Sequence, residues 1–498
     1  MFRLRSIRNQ DKEDVFVNLE KIEDESNYYT VITGENGCGK SSLLSKAINT
    51  FIFDNFENSK ECTTESFSEK VPSRVIAICN ARYNRFTSMR TYLEQSKVFY
   101  PNFYIHNEDN LEVSRSLQSI MHSVVRESIV LNNRDYDIYF SEQRRISGVD
   151  GVRTAFEMIG IQPVIDMKLE FNKTYISAIN RVYRAEQRGD KLNQMLYGPY
   201  TTDHVHWRKI LGVHENVIND LFELYESAKK RANVLGGIEI NIANLTHSLN
   251  SNYLPDKLLE VAIAVGFVIP TKLKVQRINS LKWVSIHNLS SGQQSLMMNA
   301  VIISTFTKKD ALICIDEPEN SLHPEWQLNY MAFIDHLCPK DIGCHLLVST
   351  HSPQIISGVK SSNGCVVSLT SNMKLSKFHK EKLNLFDFSL DPDTQEMITD
   401  NQEIHSISSF LRQSADRQLI EIFKSPGFGN ESLIHRLMLI LSKQTKKIKL
   451  KPEDEIFIGE IYGFIKNGKL DKHDPATVIF KQIMAFRDQR TDDDKKSS

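Results

Sequence analysis

Residues 28–51 constrain the fold of this chain more than any other stretch. An apolar run, Tyr28 to Thr33, leads straight into Gly34-Glu35-Asn36-Gly37-Cys38-Gly39-Lys40-Ser41, and from Lys40 to Phe51 the residues Leu43, Leu44, Ala47 and Ile48 share one helical face. Strand, glycine-rich turn, helix is the context that a phosphate loop requires. Glycines let main-chain amides turn toward an anion with no Cβ in the way, and the helix start adds the positive end of its dipole. In such a loop Lys40 reaches the β- and γ-phosphates of ATP and Ser41 ligates Mg²⁺, with Gly34, Asn36, Gly37, Cys38, Gly39 and Ser42 completing the cradle.

Three further stretches matter because of this one. Ala311 to Ile315 is a continuous apolar run, as in a parallel strand covered on both faces, and it delivers Asp316 and Glu317 at its carboxyl end. Open α/β sheets bind ligands at that edge, which suits Asp316 to the metal and Glu317 to the general-base role on an attacking water. His345 to Thr350 repeats the pattern and ends at His351. Upstream of both, Leu289-Ser290-Ser291-Gly292-Gln293-Gln294 precedes a helix predicted over 295–306. Its small residues leave amides free at a helix start, a second anion-binding end. The same residues also read as an ordinary capped helix start, with Ser290 or Ser291 as N-cap.

At 498 residues the chain exceeds a single compact core. The five predicted segments are an N-terminal ATPase lobe over 1–90, a mainly helical insertion over 91–254, a C-terminal ATPase lobe over 255–400, a helical region over 401–490 and a disordered tail over 491–498. Lys and Arg number 61 against 62 Asp and Glu, so no global charge draws the chain to nucleic acid. The seven cysteines are scattered and never spaced as CxxC, which points to a reducing cytoplasm without disulfides or zinc. No run approaches the ~20 apolar residues that span a bilayer, and Met1 to Asn9 has no apolar leader core.

In the first lobe, strands are expected over 2–7, 15–19 and 74–79, the last leading to Asn80, with Arg82, Arg85 and Arg90 as phosphate-reaching candidates. The insertion reads as helices over 111–130, 152–159, 175–193 and 217–234; Lys229-Lys230-Arg231 is a short basic run, and His204 with His206 reads as a surface pair. A helix over 255–265 follows. The last region reads as helices over 403–423, 431–442, 452–465 and 475–486, with Pro452 and Pro475 at first helical positions, Asp474 as a cap, and Lys443, Lys446, Lys447, Lys449 and Lys451 as the densest basic segment.

The order of these motifs resembles the ATP-binding-cassette class of ATPases, and the long insertion resembles its SMC/RecF-like branch. That resemblance implies a composite site: the phosphate loop of one subunit and the Leu289–Gln293 signature of a second close on one ATP, head to tail. It makes His351 a γ-phosphate sensor and Asn320-Ser321-Leu322-His323-Pro324 a D-loop at the dimer interface. Ser291 replaces a glycine common in transporters, Gln294 has no assigned role, and no clear Q-loop follows the 74–79 strand, where Asn80 is the candidate substitute. The runs Ile315 to Pro324 and Ser349 to Pro353 look like the OLD and PtuA types of defence ATPase. OLD nucleases continue into a metal-dependent domain, yet Asp391-Pro392-Asp393 has no strand leading into it. A helical end suits PtuA-like proteins of Septu and retron antiphage systems, whose implied partners are an HNH nuclease and, in retrons, a reverse transcriptase with its RNA–DNA product. A RecF-like ATPase that binds DNA directly and an OLD-like nuclease are the alternatives.

Overall fold

The structure, a computed structural model, describes residues 1–9, 13–19, 26–34, 37–53, 61–65, 69, 71–81, 86, 102–104, 120–121, 124–125, 128, 149–173, 176–177, 235–250, 259–260, 262–263, 267–338, 340–359, 363–369, 396–399, 402–407, 417–419, 427–446 and 448–496. The N-terminal part holds β1 (Leu4–Arg8), β2 (Asp14–Phe16), β3 (Tyr28–Gly34), α1 (Lys40–Ile52), β4 (Cys62–Thr64), β5 (Val75–Cys79) and β6 (Asn102–Tyr104). Then come α2 (Val149–Ile159), β7 (Ile161–Phe171), β8 (Gly237–Asn241), β9 (Thr246–Asn250), β10 (Val268–Arg277) and β11 (Trp283–Ser285). The third part holds α3 (Ser291–Phe306), β12 (Leu312–Asp316), α4 (Pro324–Leu337), β13 (His345–Ser349), α5 (Pro353–Ser357) and β14 (Gly364–Leu369). It ends with β15 (Glu396–Thr399), β16 (Gln402–Ser406), α6 (Glu431–Thr445), α7 (Pro452–Lys466) and α8 (Pro475–Lys496).

The central sheet has the order β15-β16-β14-β3-β13-β12-β5-β6. The six strands from β14 to β6 are parallel, and β16 and β15 add an antiparallel edge. Strands β3, β5, β12 and β13 are buried at every position, because both faces of the sheet are covered. On one face Tyr28, Ile32, Leu312, Cys314 and Leu347 pack with α1 and with the small sheet β2-β1-β4. On the other, Val31, Ile313, Ile315 and Val348 pack with α2, α3, α4 and the inner face of the sheet β11-β10-β7-β8-β9.

That second sheet places β7, β8 and β9 within 91–254, which the sequence reads as mainly helical and most of which lies outside the described residues. Helix 152–159 is present as α2, but Ile161 to Phe171 is a long strand whose inward residues alternate strictly with outward ones. One of the register shifts in the β7–β10 ladder, between Ile165 and Ile161, spans Pro163, which has no N–H to give it. The predicted helices over 111–130, 175–193, 217–234 and 255–265 fall mostly outside the described residues, as do Arg82, Arg85, Arg90, His204, His206, Lys229 to Arg231, Asp391 and Asp393.

The predicted helix over 403–423 begins instead as β16, paired to β14 along five residues. The last three helices stand where the sequence places them and bury a core of their own: Leu433, Leu437 and Ile440 meet Phe457, Ile458 and Ile461, with Ala476, Phe480 and Ile483 closing it. Asp474 caps α8 as expected, Oδ1 accepting from Ala476 N at 2.8 Å, while Oδ2 accepts from Gly429 N at 2.7 Å. The helix continues to Lys496, through the tail expected to be disordered from 491. No described helix is long and apolar enough to cross a membrane.

Candidate functional site at the carboxyl edge of the sheet

The strand order decides which loops meet. β13 lies between β3 and β12, and β5 lies on the far side of β12. In register, Ile32 pairs with Ser349, Ser349 with Asp316, and Asp316 with Cys79. Four strands therefore end level, and the residues that follow them, the phosphate loop, Asn80, Glu317 and His351, face one crevice.

The phosphate loop starts from Gly34 because nothing larger fits: a Cβ there would stand 2.5 Å from the Leu369 main-chain oxygen. Gly39, in the left-handed region at φ +95, is the N-cap of α1. Glu35 and Asn36 lie outside the described residues, while Gly37 is exposed and Cys38, Ser41 and Ser42 are half-buried. Lys40 is buried, its Nζ donating to Gly34 O at 3.0 Å and to His351 Nδ1 at 3.4 Å, with Cys38 Sγ at 3.7 Å. Desolvation lowers the Lys40 pKa; Cys38, Glu317 and Glu319 oppose that shift.

Asp316 is fully buried at the end of β12. Its Oδ1 accepts from Ser41 Oγ at 3.0 Å and from Ser349 Oγ, whereas Oδ2 has no hydrogen-bond partner among the described residues. Burial raises its pKa, opposed by the Ser349 and Ser41 hydroxyls. A buried carboxylate oxygen without a donor, beside a serine hydroxyl, is the donor set that a hard divalent cation takes, so these residues fit Mg²⁺.

Glu317 sits on a strained turn, φ +49 in a non-glycine residue, with its N bonded to Ser349 O at 3.0 Å. Its Oε2 accepts from Asn320 Nδ2 at 2.9 Å. The same Asn320 amide donates to Asn80 O at 3.1 Å, and Asn80 Oδ1 accepts from Ser295 Oγ of α3 at 3.1 Å. Asn80, buried just after β5 with Nδ2 unpartnered among the described residues, thus ties the start of α3 to the Glu317 turn. His351 has a lowered pKa, first from desolvation and then from the Lys40 ammonium, and accepts from Lys40 as a neutral ring.

Ser290 to Gln293 stand apart. Ser290 is the N-cap of α3, its side chain accepting from Gln293 N at 3.2 Å while Gln293 Oε1 accepts from Ser290 N at 3.2 Å. The capped-start reading is therefore the local structure of this loop, and α3 begins at Ser291, a turn earlier than predicted. Gln293 Nε2 reaches Ile159 O at 3.1 Å, and Gln294 Nε2 closes back on Leu289 O at 3.0 Å. Among the described residues, none of the hydrogen bonds of Ser290, Ser291, Gly292 or Gln293 reaches Lys40, Asp316, Glu317 or His351. Ser290 and Ser291 are exposed. One contact links this loop to the site: a Cβ on Gly292 would lie 2.9 Å from Ser321 O, next to Asn320.

Asn320 was noticed only as part of the D-loop, and Ser295, Ser349 and Glu319 were not singled out as site residues by sequence. Glu319 and Asn320 follow Glu317 closely, but Ser295 and Ser349 meet partners distant in sequence.

Comparisons with known proteins give one family match and several solved structures. Residues 178–357, rather more than a third of the chain, match the family described as "AAA domain, putative AbiEii toxin, Type IV TA system". No curated protein gives a significant match. Solved structures with a similar arrangement include the Smc head domain of Pyrococcus furiosus bound to the C-terminal domain of ScpA, at 10% identity over 77% of this chain and 98% of that one, TM-score 0.26. Another is cbiO1 of Clostridium perfringens, part of the ABC transporter complex cbiONQ, at 12% identity over 74% and 83%, TM-score 0.22. A third is UvrA2 of Deinococcus radiodurans, at 16% identity over 74% and 34%, TM-score 0.25. Superposition scores this low carry no argument; the sheet order and the loops at its edge do. The chain has a mixed α/β fold around a central, mostly parallel sheet, with a helical C-terminal region, and residues 178–357 are similar to an AAA-domain family.

Proposed function

We propose that this protein binds and hydrolyses ATP at the carboxyl edge of its central sheet, as one half of a head-to-tail pair. The observation that carries the reading is the convergence of Lys40, Ser41, Asp316, Glu317 and His351, from three separate segments, on one crevice. Lys40 exchanges its present acceptors for phosphate oxygens. Ser41 and Asp316 would hold Mg²⁺, which supplies charge neutralisation on those oxygens. Glu317 orients a water and takes its proton as the water oxygen bonds to the γ-phosphorus. The bond to the bridging oxygen then breaks, and ADP carries the electron pair away. His351, neutral beside Lys40, reports whether the γ-phosphate is there.

Ser290 to Gln293 serve a second molecule. Ser290 and Ser291 are exposed, the helix start is already capped, and the loop is separate from the cluster in its own chain, which fits a loop that acts on the ATP of a partner. In this reading the protein is the ATPase subunit of an antiphage defence complex of the Septu or retron type. ATP-driven pairing then gates a separate HNH nuclease, with a reverse transcriptase and its RNA–DNA product present in the retron version. The toxin and TA-system wording of the matched family is in keeping with that role.

Glu317→Gln tests the site. Turnover should fall by about 10²- to 10⁴-fold, while ATP now holds the chain as a pair in size-exclusion chromatography. Unchanged turnover with no nucleotide-dependent pairing would overturn the assignment.

A further inference from the structure

Two glutamates follow Asp316, and they are engaged on opposite sides of the turn. Glu317 bonds to Asn320, whereas Glu319 turns toward the end of β13. Glu319 Oε2 accepts from Thr350 Oγ1 at 2.8 Å, and Oε1 accepts from His351 main-chain N at 2.5 Å. Thr350 Oγ1 in turn accepts from Ser352 N at 2.9 Å, and Ser352 Oγ donates to Gln327 Oε1 of α4 at 2.6 Å. The loop that carries His351 is thus held at three successive residues, and one carboxylate supplies two of the acceptors. At the other end of the same residue, the ring Nδ1 meets Lys40 Nζ at 3.4 Å, near the outer limit of a hydrogen bond. A few tenths of an ångström in the main chain decide whether that contact exists.

We propose that Glu319 is the positioning residue of His351. It fixes the main chain of Thr350 and His351 so that the ring stands at Lys40, and it touches neither nucleotide nor attacking water. This rests on the reading of His351 as the group that senses the γ-phosphate. The chemistry asks for a carboxylate at 319. Two donors, one hydroxyl and one amide, converge on it, and an ionised glutamate is acceptor-only at both oxygens. Glutamine offers one acceptor to the His351 amide, and its NH₂ meets the Thr350 hydroxyl, which must then accept where it now donates, with almost no change of shape. Those hydrogen bonds hold the charge in place against burial, which raises the Glu319 pKa.

A double-mutant cycle separates positioning from a general structural role. ATP turnover is measured in the full chain for Glu319→Gln, His351→Ala and the double variant. Glu319→Gln should lower kcat about tenfold to a hundredfold and leave KM for ATP within about twofold. The double variant should be no slower than His351→Ala alone, since a residue that acts only through His351 has nothing left to position. Losses that multiply, or wild-type turnover in Glu319→Gln where His351→Ala is slow, would overturn the proposal. Hydrogen exchange gives a readout free of catalysis. In Glu319→Gln the His351 amide should exchange faster, while Leu346 to Val348 in β13 stay as protected as before. If His351→Ala turns over normally, the sensor reading fails, and exchange alone then judges the positioning claim: an unchanged His351 amide refutes it.

Discussion

The two loops expected to meet on one nucleotide are built in contrasting ways. The crevice at the ends of β3, β5, β12 and β13 is assembled within one chain: Lys40 already touches His351, Ser41 already touches Asp316, and Glu317 is already held by Asn320. At the other loop Ser290 and Ser291 are exposed, and the helix start is satisfied by its own capping box. A buried polar cluster must find its partners inside the fold, or folding loses the cost of every unpaired group. An exposed helix start has no such demand and can wait for a second molecule. In the proposed reading, the chemistry belongs within each chain and the switching to the pairing of chains.

The largest test of that contrast is Ser290→Asp. Aspartate caps a helix as well as serine does, so the chain should keep its thermal stability and its one-subunit ATP affinity. A carboxylate facing a γ-phosphate across the interface should weaken ATP-dependent pairing about a hundredfold or more, read by analytical ultracentrifugation with and without ATP. Intact pairing would mean that the loop does not face nucleotide.

Gly292→Ala asks whether the two regions are independent before they pair. The added Cβ would press on Ser321 O at 2.9 Å, beside Asn320 and hence Glu317. A stability loss of about 1–3 kcal/mol by chemical denaturation, together with a severalfold drop in turnover, is expected. Loss of stability alone would show that the strain stops at Ser321.

The smallest effect lies at the far end of β13. His345 is fully buried, its Nδ1 accepting from Leu4 N at 3.0 Å and its Nε2 lying 2.9 Å from Thr30 Oγ1. Desolvation, with the Arg3 charge behind it, pushes its pKa well down. Below the ordinary histidine value of about 6.5 the unfolded chain takes up a proton that the folded chain refuses, so stability falls as the pH drops. The slope from this residue is about 1.4 kcal/mol per pH unit, and His345→Gln should remove it from denaturation curves between pH 6.5 and 5. An unchanged slope would mean that His345 is protonated in the folded state.

Much of the sheet was legible because its strands are short apolar runs that end in polar residues, as at Ile315-Asp316 and Ser349-Thr350. The phosphate loop was legible for the same reason, together with its glycines. β7 was missed although its alternation is strict, because Pro163 interrupts it and a helical pattern precedes it. β16 was missed because a longer helical periodicity begins at the same residues. The hydrogen bonds that arm the site were beyond reach, since Ser295, Asn80 and Asn320 meet only after α3 packs beside β5. Asn80 was noticed for its place after a strand, yet its role as a bridge lies in contacts that no spacing encodes.

Six of the seven cysteines are buried, and Cys38 alone is half-exposed. A gentle alkylating reagent therefore has one target in the folded protein, and it sits inside the phosphate loop with Lys40 Nζ 3.7 Å from its sulfur. The molecule carries its own chemical clock: the rate at which that thiol is capped measures how much of the time the loop stands open, without a label being introduced.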